Sequence, residues 1–158
     1  MGISYRLKHI AGLVTPGYRA ADIGTDHGYV PVFLVKEGIS PSAIAVDISR
    51  DSLLKAEELA ERAGLSDRIE CRLSDGLENL MPGEADAVII SGMGGILMCS
   101  IMEAHPEILE TVKEIIVSPH RDADLVRNVI TCHGFRIVHD EMITDRKKDY
   151  PVIKAVKD

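Results

Sequence analysis

Residues 22–29 read Asp-Ile-Gly-Thr-Asp-His-Gly-Tyr, directly after the apolar approach Tyr18-Arg-Ala-Ala. The stretch has the form of a strand that stops, a turn of small residues around Thr25, and a helix start. Gly24 and Gly28 let the backbone approach a ligand without a Cβ in the way. Asp22 offers a carboxylate to a cationic or hydrogen-bond-donating part of that ligand. Two more acids follow short apolar runs: Asp47, next to Ile48, and Asp75, within Ser74-Asp75-Gly76. Asp47 can accept both hydroxyls of a ribose, because an ionised carboxylate has acceptor capacity on two oxygens; capping the following helix is the alternative. Asp75 can accept from an adenine amino group or serve as a turn residue. Three acids at consecutive strand ends are more specific than any one of them.

Two further groups stand at later strand ends. Ser91-Gly92-Met93-Gly94-Gly95 places three glycines in four positions and opens a helix, so its N–H groups and the positive helix end can face a ligand. A tight turn that touches nothing is the alternative. Ser118-Pro119-His120 flanks the same cleft, with His120 either contacting substrate or capping the next helix. The first loop departs from the dinucleotide fingerprint G-x-G-x-x-G, with Asp26 in the middle and Tyr29 where the third glycine belongs. That weakens a nicotinamide-dehydrogenase reading. The loop reads instead as the first loop of an S-adenosylmethionine (SAM) methyltransferase.

The elements that position these groups alternate along the chain. Helices are expected over 5–14 (N-capped by Ser4 and stopped by Thr15-Pro16-Gly17), 29–37, 50–63 (closed by Gly64), from Gly95 to Ala104, and over 122–132. Strands are expected over 19–24, 43–47, 69–73, 87–91 and 114–118, the fourth apolar throughout, as in a strand covered on both faces. The closing strands, 135–144 and 150–156, are joined by a charged turn at 145–149. Strand–helix alternation followed by a hairpin predicts an α/β chain with a Rossmann-like, mostly parallel seven-stranded sheet and a C-terminal β-hairpin at one edge, the methyltransferase variant.

Bulk properties narrow the field. The 158 residues suit one domain, 46% hydrophobic and 27% charged. No apolar run approaches the ~20 residues of a membrane span, and no signal-peptide or myristoylation pattern opens the chain. Cys71, Cys99 and Cys132 are widely spaced, without a Cys-x-x-Cys pair. They read as reduced thiols in a cytoplasm, not as a disulfide or metal set; no metal is expected. The net charge of −7 argues against nucleic acid. A local basic patch can still suffice, drawn from Arg6, Lys8, His9, Arg121, Arg127 and Arg146-Lys147-Lys148.

Asp22 to Tyr29, the downstream Gly-Met-Gly-Gly and the Pro-centred tripeptide at 118–120 together resemble the bacterial tRNA adenine-N1 methyltransferases of the TrmK family, which modify adenine 22 of tRNA. The resemblance runs from Arg6-Leu7 through Gly64-Leu65-Ser66-Asp67 to the Tyr150 strand. It implies SAM as methyl donor and tRNA as acceptor. By position, Asp22, Gly24, Thr25 and Gly28 would hold the methionine part of SAM, Asp47 and Ile48 the ribose side, and Asp75 and Gly76 the adenine. Asp26 would face the target base, Gly92, Met93 and Gly94 would lie under it, and His120 would flank it. His120 stands where the family commonly has Asn. Members usually continue into a helical C-terminal region, so residues 1–158 are read as a single methyltransferase domain without it. A SAM methyltransferase acting on a small molecule or protein is the alternative, as is a non-catalytic SAM-binding module. The absence of Asn-Pro-Pro-Tyr disfavours amino-group methylation of adenine or glutamine.

Overall fold

The computed structural model describes residues 2–158. Seven strands form one sheet in the order β3-β2-β1-β4-β5-β7-β6. They are β1 (Ala20–Ile23), β2 (Ala43–Asp47), β3 (Ile69–Leu73), β4 (Ala87–Ser91), β5 (Glu114–Ser118), β6 (Phe135–Asp145) and β7 (Lys148–Lys157). β1 to β5 pair in parallel, and β7 runs antiparallel between β5 and β6. The architecture is the expected one.

Period-two alternation distributes the sheet between two helical layers. Val88 and Ile90 of β4 meet the layer of α4 (Gly95–Ala104), α5 (Pro106–Leu109) and α6 (Ala123–Cys132). Ala87 and Ile89 meet α1 (Tyr5–Gly12) and α2 (Tyr29–Lys36). α3 (Arg50–Arg62) covers β2 and β3 through Ala56 and Ala60. Each fully buried isoleucine here contributes about 2 kcal/mol of transfer free energy.

The β3–β4 connection, for which no helix is expected, carries none; turns that bury Leu77 and Leu80 fill it. Two local outcomes differ from expectation. The short helix α5, with Pro106 at its start, was not anticipated. The closing turn contracts to Arg146-Lys147, both at positive φ (51° and 66°). A two-residue loop with that backbone matches the twist of a hairpin, so pairing extends from Asp145 and Lys148 inward.

Among the described residues, no helix is long and apolar enough to cross a membrane.

Candidate active site at the strand-order switch

The strand order reverses between β1 and β4, and in open α/β sheets the crevice beyond the strand ends at such a point is where ligands bind. A cavity of about 200 Å³ lies there, lined by Arg6, Leu7, Asp22, Gly24, Thr25, Asp26, Val30, Ser91, Gly92 and Met93. A larger concavity of about 460 Å³ opens near Arg19, Ala43 and Ile69, the amino ends of the strands, away from every predicted residue.

Asp22, the penultimate residue of β1, is only 3% exposed. Its Oδ2 accepts from Thr25 Oγ1 at 2.9 Å; its Oδ1 is buried without a partner. Burial pushes its carboxyl up to about 7. The Thr25 hydrogen bond opposes that rise, and the charges of Asp47 and Asp26 add to it. Arg6, on α1, shares the cavity and carries the complementary feature: its Nη1 is also buried and unpartnered. The guanidinium carbon lies 4.6 Å from the centroid of the Tyr150 ring. One small cavity thus presents an unpaired acceptor and an unpaired donor. Arg6 was anticipated only as part of a basic patch; the Arg6-Leu7 pair was the signal.

Two glycines have distinct reasons to be glycine. At Gly24 (φ +73°) an added Cβ would stand 2.4 Å from Met93 Cε, so the methionine side chain reaches over the β1 loop. At Gly28 (φ +80°) it would stand 2.7 Å from Ala56 Cβ and 2.9 Å from Ala56 Cα. Gly28 is therefore required by the packing of the loop on α3, which is a reason besides ligand approach.

Asp26 adopts φ +61°, costly for a residue with a side chain. Its N–H donates to Asp47 Oδ2 at 3.0 Å, while Ser49 N–H donates to Asp47 Oδ1 at 2.9 Å. Asp47 thus ties the β1 loop to the start of α3 and retains further lone pairs for a ligand. The cap of α3 itself is Ser49, not Asp47. The Asp26 side chain is 74% exposed at the cavity rim, 3.1 Å from His27 Nδ1. Ile48 is 70% exposed beside Asp47, an apolar surface at a strand end. Ser74 N–H donates to the Asp47 carbonyl, which sets Asp75 and Gly76 next to it. Asp47, Ile48, Asp75, Gly76, Gly28, Gly94 and His120 lie outside the cavity lining.

On the β4 and β5 side, His120 N–H donates to the Met93 carbonyl at 2.9 Å and Gly95 N–H to the Arg121 carbonyl at 2.9 Å. These bonds lock the glycine-rich loop to the 118–120 turn. Ser118 is fully buried with its hydroxyl unpartnered. The exposed His120 ring lies 5.9 Å from Tyr150. Its pKa is lowered by desolvation first, then by Arg6, Lys148 and Arg121. Three cations from three distant segments therefore gather round one face, although the chain is acidic overall. Arg127 is elsewhere, paired with Asp140 and Asp124.

A family model described as a methyltransferase domain matches residues 3–153, which defines the class of protein. Within that class, the chain is 34% identical over 97% of its length to the tRNA (adenine(22)-N(1))-methyltransferase of Bacillus subtilis, and spans 64% of that protein. The B. subtilis TrmK crystal structure superposes with a TM-score of 0.92 at 32% identity, covering 99% of this chain and 67% of that one. TrmK of M. capricolum, solved with the cofactor product S-adenosyl-homocysteine, gives 0.90 at 28% identity, covering 100% and 70%. The chain belongs to the TrmK family.

Proposed function

We propose that this chain is the catalytic domain of a SAM-dependent tRNA methyltransferase that places a methyl group on N1 of adenine 22. The observation that carries the reading is the paired vacancy of bonding in the cavity: Asp22 Oδ1, an unpaired buried acceptor, and Arg6 Nη1, an unpaired buried donor. A zwitterionic amino-acid end, such as the methionine part of SAM, has an ammonium for the first and a carboxylate for the second. Asp47 would accept from the ribose hydroxyls and Asp75 from the adenine amino group, with Ile48 against the ring.

When bound, SAM supplies an electrophilic methyl group to the in-plane lone pair of adenine N1, leaving as neutral S-adenosyl-homocysteine. The chain's own task is to align the two partners and exclude water. Met93 and the glycine loop form the wall beside the reacting centre. The methylated base carries the positive charge until an N6 proton is lost. Asp26, an exposed carboxylate at the rim, supports that charge electrostatically. Arg121 and Lys148 supply the phosphate-facing charge that the net charge of −7 conceals. Adenine 22 must be turned out of the tRNA stack to reach the site. With three free cysteines, the protein is assigned to the cytoplasm.

The test is methyl transfer from labelled SAM to unmodified tRNA carrying A or G at position 22, followed by nucleoside analysis. N1-methyladenosine formed only with A supports the proposal. SAM binding without transfer to either tRNA would assign the chain to another acceptor or to a binding role.

A further inference from the structure

The face of the sheet under α1 brings together three side chains that no strand-end site uses. His9 of α1 and His139 and Glu141 of β6 each offer one ligand atom, and these atoms all lie within 4.8 Å of one another. His9 Nε2 is 2.5 Å from Glu141 Oε1, and His139 Nε2 contacts Glu141 Oε2. We propose that His9, His139 and Glu141 form a binding site for a borderline divalent cation, best matched by Zn²⁺.

The backbone of β6 makes the cluster. Phe135 and Ile137 pack with α4 and α6, whereas Ile143, also at an odd position, packs with α1 and α2. Strict alternation would keep them all on one face. The change occurs at a bulge: Ile137 pairs with Ala155 and His139 with Lys154, so Val138 is the extra residue. From His139 onward the odd positions point toward α1. The same shift sends Asp140 to the other face, where Arg127 of α6 holds it at 2.8 and 2.9 Å. Were Val138 paired regularly instead of bulged, His139 and Glu141 would stand on the α6 side, away from His9.

The donor set fits the ion. Two imidazole nitrogens and one carboxylate are a common three-ligand zinc set, with a water completing the tetrahedron. Tetrahedral zinc with bonds of 2.0–2.1 Å requires its ligand atoms to be about 3.4 Å apart, so a 4.8 Å spread closes by side-chain rotation. All three side chains are about a third exposed, which admits an ion and its water. The two imidazoles disfavour Mg²⁺ and Ca²⁺, which prefer oxygen. The bound ion would clamp α1 to the sheet edge, one turn from Arg6. Arg6 N–H is already tied to Asp145 Oδ2 of the same strand at 3.3 Å.

The test is equilibrium dialysis of the tag-free full chain against Zn²⁺, with Co²⁺ substitution as the spectroscopic probe. One ion per chain is expected, with tetrahedral visible Co²⁺ bands and no thiolate charge-transfer band. The thermal midpoint should rise by ~5 °C at a hundredfold excess over Kd. His139→Ala and Glu141→Gln should each weaken binding at least about tenfold, while circular dichroism and SAM affinity stay unchanged. Failure to take up one ion would overturn the proposal, leaving a histidine–glutamate hydrogen-bond cluster. So would uptake that survives both substitutions, or a thiolate band marking Cys132 or Cys71 as the ligand.

Discussion

Two buried carboxylates sit at opposite ends of the central strands and are treated in opposite ways. Glu114 opens β5 and is 1% exposed. It accepts from Thr15 N–H at 2.9 Å and Thr15 Oγ1 at 2.6 Å, and Lys154 Nζ stands 3.5 Å away. The same lysine donates to the Leu13 carbonyl at 2.7 Å, so the cluster staples the end of α1 to the sheet. Asp22, near the carboxyl end of β1 and also buried, has one of its two oxygens left unpaired. A carboxylate that serves the fold is given every partner. Under the proposed function, Asp22 keeps its lone pair for a ligand, and the unliganded fold bears the cost.

That contrast can be broken in several ways. Glu114→Ala should be the most damaging, because it leaves the part-buried Lys154 without its counter-ion and Thr15 N–H without its acceptor. A loss of about 3 kcal/mol is expected in urea denaturation, with SAM affinity unchanged. Asp22→Asn should raise the Kd for SAM about a hundredfold by calorimetry, through loss of a buried charge partner. Arg6→Ala should act on the same cavity from the donor side, weakening SAM about tenfold.

The same Asp22→Asn change should stabilise the unliganded protein by about 2 kcal/mol. The sign follows from linkage. The Asp22 pKa is raised from 3.8 to about 7 on folding. Between those values the native state holds a proton that the unfolded state has released. Asp22 therefore lowers stability as pH rises from 4 to 7, by at most about 1.4 kcal/mol per pH unit, and the Asn variant should lack that slope. A stability profile identical in the two proteins would remove Asp22 from this role. SAM affinity should rise between pH 6 and 8 as the carboxylate ionises. The smallest effect is expected at the exposed Asp26: Asp26→Asn should lower turnover about tenfold and leave SAM binding within about twofold, since a solvent-facing charge is screened.

Much of the strand-end cluster, as a set of neighbouring residues, was legible in the chain. Asp22, Gly24, Thr25, Asp26, Gly92 and Met93 line one cavity because each follows a short apolar run, and strand ends converge at the order switch. Asp47 stands outside that lining but ties the Asp26 backbone to it. The reason for Gly28 was not legible, since its neighbour Ala56 belongs to a helix 28 residues further on. Nor was the role of Arg6, which depends on α1 folding back over Tyr150 near the far end of the chain. Charge was misleading as a sum, because Arg6, Arg121 and Lys148 meet only in three dimensions.

Local pattern by itself determined the elements, their order and the acids at the strand ends, because apolar periodicity and turn chemistry act over a few residues. Tertiary structure alone decided which side chains from distant elements share a space. The clearest case is β6: the bulge at Val138 interrupts the alternation, so His139 and Glu141 lie on the face opposite Ile137, beneath His9. The extra residue is invisible as a pattern, since the odd positions of β6 stay the more buried ones on both sides of the bulge and the alternation reads as unbroken.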